Sequence, residues 1–340
     1  MIQRFKGPFR IDSITQFLSC PRAFYFNEVK FLPPERINLN WLAARAGHTV
    51  ISQAHREQNF SADNMFERFL DLFEKQKARV KTETFGAVDF EEYRSMLKGY
   101  ANMPYNREAV VLALDSEFYF DIRPARTTYF FEGRIEQLLR IETDLLRAEF
   151  SDVFESVTKS SIILHRCLKF GQRRHTSSFE LAMNVRLDIL SLALKNGIFN
   201  HPPGSIDHVS RNTPYHWDII PDFHAVYFLR DHIPYKDDGG RYLRDDNGDF
   251  IPCDLVSSPC LVGKKQDPCK GKRIYCTKKS RGPAMFFTAR PQARIHAIPR
   301  ELMPLCAAIR MGHYPRQLGE LCLNYCGYRS ACESEIRQRA

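Results

Sequence analysis

The stretch Thr127-Thr-Tyr-Phe-Phe-Glu-Gly-Arg-Ile-Glu-Gln-Leu-Leu-Arg-Ile141 decides the fold. It is long and rich in Tyr, Phe, Ile and Leu, the composition of a strand on a half-buried pleated surface. Residues 115 to 121 precede it and alternate Phe118 and Phe120 with polar neighbours, a second strand. Residues 144 to 152, carrying Leu145, Leu146, Ala148 and Phe150, read as a third. Connections this short imply an antiparallel meander.

Helical patterns surround the meander. Residues 10 to 30 read as a helix capped by Asp12 or Ser13 and interrupted at Pro21, which cannot continue a helix interior. Further helices are expected over 39–58 and 63–80. Met65, Phe66, Phe69, Leu70 and Phe73 line one face of the latter as core packing. The clearest helix covers 178–196, with Leu181, Val185, Ile189, Leu192 and Ala193 at helical spacing and Asn196-Gly197 to end it. Strands are expected at 224–230 and 293–298, and a helix at 300–311. The pattern is mixed α/β. Residues 234–282 differ from the rest, being rich in Asp, Gly and Lys and poor in periodicity, and read as an insertion.

Composition narrows the partners. With 340 residues the chain suffices for one large domain with an insertion, and the expectation is a single domain over 1–340. A net charge of +9 suits a polyanion such as DNA, although many basic proteins simply carry a solvated positive surface. No apolar run approaches the roughly 18 residues of a membrane span, and the start Met-Ile-Gln-Arg-Phe-Lys lacks the apolar stretch of a signal peptide. No membrane partner is expected. Ten cysteines without an export signal point to thiol or metal chemistry in a reducing compartment, the cytoplasm or its nucleoid or nuclear equivalent.

Four of those cysteines stand apart. Cys20 lies in Ser19-Cys-Pro-Arg-Ala-Phe-Tyr25, and Cys322, Cys326 and Cys332 crowd the other end of the chain. Four thiolates are what an iron–sulfur cluster needs. A set drawn from both ends would staple the termini together.

The strands offer carboxylates. Glu136 on the long strand and Glu149 on the expected third strand can share a face, and a hard cation such as magnesium or manganese would relieve their repulsion. His48 could add a nitrogen ligand from the 39–58 helix. Taken alone, both glutamates read first as solvated strand positions and His48 as a core or surface histidine.

In order along the chain, the Cys20 helix, His48, Gly133-Arg-Ile-Glu136, Glu149, the 178–196 helix and the closing cysteines resemble the iron–sulfur branch of the PD-(D/E)XK nuclease superfamily. That branch includes the RecB-like nucleases of CRISPR adaptation, the AddB nuclease domain and exonuclease V. The resemblance implies a restriction-endonuclease-like α/β core with a helical N-terminal part. It further implies a [4Fe–4S] cluster on Cys20, Cys322, Cys326 and Cys332, and a Mg or Mn ion held by His48, Glu136, Glu149 and the Phe150 carbonyl. Its activity would be hydrolysis of phosphodiester bonds in single-stranded DNA or at DNA ends.

The departures carry equal information. Ser151 stands where the family has its catalytic lysine; Lys159 and Lys169 are candidate substitutes. Cys167-Leu168-Lys169 presents a thiol where the acid belongs and is set aside as a metal motif. Arg186 and Leu190 replace the family's Gln-x-x-x-Tyr, and three residues rather than two separate Cys322 from Cys326. An inactive nuclease-fold subunit that binds DNA, or assembles a nucleic-acid-processing complex with protein partners, is therefore the alternative. A zinc-and-thiol protein unrelated to nucleases is a third reading.

The insertion adds Cys253, Cys260, Cys269 and Cys276, either a zinc site without close Cys-x-x-Cys pairs or free thiols. It also adds Lys264, Lys265, Lys270, Lys272, Arg273, Lys278, Lys279 and Arg281, a loop that could track a phosphate backbone or simply be solvated. Cys167 and Cys306 are expected to be single buried thiols.

Overall fold

The computed structural model describes residues 4–124, 127–171, 178–205, 214–232, 285–316 and 326–337. The expected insertion, with its four cysteines and its basic residues, lies outside the described residues, as does Cys322. Among the described residues no helix is long and apolar enough to cross a membrane.

The chain opens with β1 (Phe9–Arg10), α1 (Ile11–Ser19), α2 (Pro21–Phe24) and a π-helical turn at Tyr25–Val29. Pro21 at the first position of α2 makes the break expected there, because its ring fixes the start of a new helix and has no N–H to leave unpaired. Next come β2 (Arg36–Asn38), α3 (Leu39–Glu57), α4 (Ala62–Ala78), β3 (Glu83–Phe85), α5 (Phe90–Asn102) and α6 (Pro104–Arg107). The central strands are β4 (Val110–Ile122) and β5 (Tyr129–Glu142), followed by α7 (Thr143–Arg147), α8 (Ser151–Phe154) and β6 (Ser161–Lys169). After them run α9 (Ser178–Ala182), α10 (Val185–Asn196), β7 (Ile198–Phe199), β8 (Tyr215–His216), β9 (Phe223–Phe228), β10 (Met285–Thr288), α11 (Gln292–Met311) and α12 (Arg329–Arg337).

The main sheet has the order β10-β9-β6-β5-β4-β7-β8, with β1 pairing parallel to β5. Strands β4, β5 and β6 are antiparallel neighbours, whereas β6 and β9 run parallel, so the sheet is mixed. Two apolar clusters divide the side chains of β6: Leu164 and Leu168 join Val50, Phe69 and Met96, while Cys167 joins Ile14, Leu190 and Ile298. Helices α3, α4 and α5 supply the first cluster, and α1, α10 and α11 the second. The aromatic stripe of α4 is core: Met65, Phe66, Phe69 and Phe73 are buried.

Four expectations need correction. Residues 144–152 form no strand; α7 and α8 fill that stretch, and the third strand of the meander is β6. Its run Ser-Ile-Ile-Leu-His-Arg-Cys-Leu-Lys lacks alternation because a central strand is buried on both faces. Residues 293–298 belong to α11, which continues through the expected 300–311 helix despite Pro299 and Pro304. The 178–196 helix is split into α9 and α10, and the Asn184 side chain caps α10 by accepting from Leu187 N–H at 3.3 Å. Finally, α1 starts at Arg10 without a side-chain cap, and Asp12 sits in its first turn.

Candidate functional site

Strands β5 and β6 stay paired only as far as Gln137 opposite Arg166, after which they separate. Beyond that point β6 continues to Lys169 against β9 alone. Glu136 spans the opening, and its Oε2 accepts a hydrogen bond from Leu168 N–H at 2.9 Å. The carboxylate thus takes a donor that lost its ladder partner, an obligation every buried backbone N–H carries.

Other groups collect around it. Arg186 of α10 donates to Glu136 Oε1 at 3.1 Å and also pairs with Asp12 of α1. Leu114 faces Gln137 and Ser116 faces Ile135, which carries Asp115 across from Glu136. Asp115 adopts φ of 49°, a left-handed conformation uncommon for a non-glycine residue, and lies 3.6 Å from Arg134 and 3.8 Å from Arg56. His48 of α3 stands edge-on to Phe170 with ring centroids 5.1 Å apart. Gly47 makes that approach possible, since a Cβ there would lie 2.4 Å from the Phe170 ring.

These neighbours set the protonation states. Burial chiefly lowers the His48 pKa, Lys169 and Arg134 lower it further, and Glu136 and Asp115 oppose them. Burial pushes the Glu136 carboxyl up, but His48, Lys169, Arg186 and the Leu168 amide more than offset it, so the group ionises below the ordinary carboxylate range. Cys167 is 1% exposed, and burial first, then the charge of Glu136, raises its thiol to about 12. The thiol is therefore protonated at neutral pH and adds no negative charge.

A divalent cation does not fit this donor set. Both Glu136 oxygens already accept from protein donors, the neighbouring Cys167 offers only a soft thiol, and three carboxylates (Asp12, Asp115, Glu136) face four cations (Arg56, Arg134, Lys169, Arg186). Hard divalent ions want several carboxylate oxygens and net negative charge. Among the described residues no three His, Cys, Asp or Glu side chains converge as ligands do.

The sequence-derived ligands are only partly brought together. His48, Glu136 and Lys169 lie within electrostatic reach of one another. Glu149 does not join them: it is exposed in the turn between α7 and α8, where its charge acts on Tyr105. Phe150 is buried against Tyr105 and Phe287, and its carbonyl accepts from Val153 and Phe154 N–H in the first turn of α8. Ser151 begins that helix. Lys159 pairs with Asp222. Cys167 and Lys169, set aside as a metal motif in the sequence, lie beside Glu136 and act on it electrostatically. Asp115 had no signal beyond its strand, because its backbone strain is invisible in sequence.

The two cysteine-bearing ends pack on each other. Glu35 N–H donates to the Gly327 carbonyl at 2.8 Å, and its carboxylate accepts from Ser330 and Ala331 N–H at the start of α12. Tyr328 stacks on Phe26 and donates to Asn27 Oδ1 at 3.1 Å. Arg22 pairs with Glu335, which sets Cys20, two residues before Arg22, and Cys332, three before Glu335, on facing segments. Cys20, Cys326 and Cys332 are half-buried in this arrangement and, among the described residues, do not converge on one point. Cys167 and Cys306 are buried single thiols, as their isolation in the sequence implied.

No protein-family model matches the chain, and no curated protein matches it.

Proposed function

We propose that the chain is a nucleic-acid-binding protein on a nuclease-like framework, with the Arg186 guanidinium standing where a catalytic divalent ion would have to bind. The observation that carries this reading is the pair Arg186–Glu136, 3.1 Å, on a carboxylate whose other oxygen already holds the Leu168 amide. The order His48, Glu136, Cys167-x-Lys169 supports the PD-(D/E)XK framework, and the soft thiol of Cys167, a poor match for magnesium or manganese, favours binding over metal-dependent cleavage. The net charge of +9 supports a polyanionic partner, DNA as single strands or ends, alone or within a protein complex. The test pairs two assays on one preparation: oligonucleotide binding across a salt series, and cleavage of end-labelled DNA with magnesium or manganese. Salt-sensitive binding without cleavage is expected.

A second reading, metal-dependent hydrolysis, has one observation in its favour. Lys169 lies near Glu136 and His48, as a catalytic lysine would. It requires Arg186 to release Glu136 and keep only its pair with Asp12. Metal-dependent cleavage lost in Glu136→Gln would select it.

We further propose that Cys20, Cys322, Cys326 and Cys332 hold an iron–sulfur cluster, a reading supported by the packing of the two ends and by an all-thiol donor set. Its role would be structural, tying the Cys20 segment to the closing segment of the chain.

A further inference from the structure

Two grooves adjoin at Arg10: one is lined by Glu132, Glu136 and Arg186 among others, and the other, of about 1030 Å³, by Arg4, Lys6, Arg10, Glu28, Phe31 and Met311 among others. Arg10 is fixed there by Glu132 at 2.7 Å. Arg4 and Lys6 have no ion-pair partner among the described residues, and Glu28 is the one carboxylate lining this groove.

Phe31 is the unusual member. It follows the π-helical turn, where the chain reverses and Leu32 N–H donates to the Phe26 carbonyl at 2.9 Å. Its φ is 53°, a position that glycine or asparagine ordinarily fills because a side chain is strained there. The ring is nevertheless 79% exposed, so burial returns nothing for that strain. A strained, outward-facing aromatic at a π-helical turn is the kind of outlier that points to a ligand.

We propose that this groove is a single-strand nucleic-acid path, with Phe31 as the platform for a base and Arg4, Lys6 and Arg10 following the phosphates. The inference rests on the nucleic-acid-binding reading and assigns it a strand type and a location. Flat exposed aromatics next to unpaired cations suit unstacked bases, whereas a duplex hides its base faces.

The test measures fluorescence anisotropy of a labelled oligo-dT 12-mer and of a 12-base-pair duplex with the full-length protein. Phe31→Ala should weaken oligo-dT binding roughly 10-fold or more and leave the duplex unchanged. Phe31→Gly should weaken it likewise while raising the melting temperature, because glycine relieves the backbone; the opposite signs separate stacking from folding damage. Arg4→Gln with Lys6→Gln should reduce the salt slope for the single strand by about 1.4. Wild-type oligo-dT affinity in both Phe31 variants overturns this path while leaving the binding reading intact. Loss of self-association in Phe31→Ala, with oligo-dT affinity retained, marks the groove as a protein contact and also overturns it. A wild-type protein that binds neither oligonucleotide overturns both readings.

Discussion

Lowering the pH from 7 to 5 should strip this protein of much of its stability, through three histidines buried in neutral form. His55, His165 and His224 are each 0% exposed. Burial lowers His165 to about 4, His55 to about 3, and His224 well below its ordinary 6.5, the latter aided by His165 and Arg290. The hydrogen bonds show why the neutral forms are required. Ser191 Oγ donates to the Leu187 carbonyl at 2.7 Å, so it must accept from His224 Nε2 at 2.9 Å. His224 Nδ1 is then the acceptor for His165 Nδ1 at 2.9 Å, and His165 Nε2 faces the Cys167 thiol at 4.0 Å. A proton on His224 would set two N–H groups against each other. The folded pKa values are depressed, so the unfolded chain takes up protons first, and stability is complete above about 6.5 and lost as pH falls toward 4. Each pKa unit is worth about 1.4 kcal/mol, which makes the loss at pH 5 about 2 kcal/mol for each of His55 and His165, about 4 kcal/mol together, with His224 acting in the same direction. Typical domains hold only about 5 to 15 kcal/mol in all. Urea unfolding followed by circular dichroism at pH 7.5, 6 and 5 measures this, and His55→Asn should make the dependence on pH shallower. A urea midpoint unchanged from pH 7.5 to 5 would refute the reasoning.

Other expectations follow from particular contacts. Gly47→Ala places a Cβ 2.4 Å from the Phe170 ring and should cost about 1 to 3 kcal/mol by overpacking, read by the same urea assay. Arg186→Met removes a donor from Glu136, whose side chain is 11% exposed, and should cost about 1 to 3 kcal/mol. Combining Arg186→Gln with Cys167→Glu removes a positive charge and adds a negative one beside Glu136. The double variant should bind Mn²⁺ by electron paramagnetic resonance while the wild type does not. Anaerobically purified protein should contain iron and sulfide and lose both in Cys20→Ser; a preparation free of sulfide would remove the cluster from the account.

The legibility of the fold in the sequence varied with burial. Helices α3 and α4 and strand β5 appeared within a residue or two of their bounds, the helices because an apolar face beside a solvated one imposes a period, the strand because its length and its Tyr, Phe, Ile and Leu content mark it. Strand β6 was missed because it is buried on both faces and carries His165 and Arg166 inside. Arg166 is fully buried and is held by Gln137, Asn106 and Tyr100, neutral acceptors that only the fold assembles. With β6 missed, residues 144–152 were read as the neighbouring strand and Glu149 as the partner of Glu136, whereas that stretch folds as α7 and α8. Glu136 and His48 were singled out through the resemblance, since alone they read as ordinary strand and helix positions; the fold brings them within electrostatic reach of each other. Arg186 stood out as a departure, but its contact with Glu136 crosses 50 residues and follows only from how α10 packs on the sheet.

The most direct test of the account is incubation of end-labelled single- and double-stranded DNA with wild-type protein in magnesium or manganese, beside Glu136→Gln, with binding measured on the same samples. The account predicts that both proteins bind DNA in a salt-sensitive manner and that neither cuts it. Cleavage by the wild type that disappears in Glu136→Gln would contradict it.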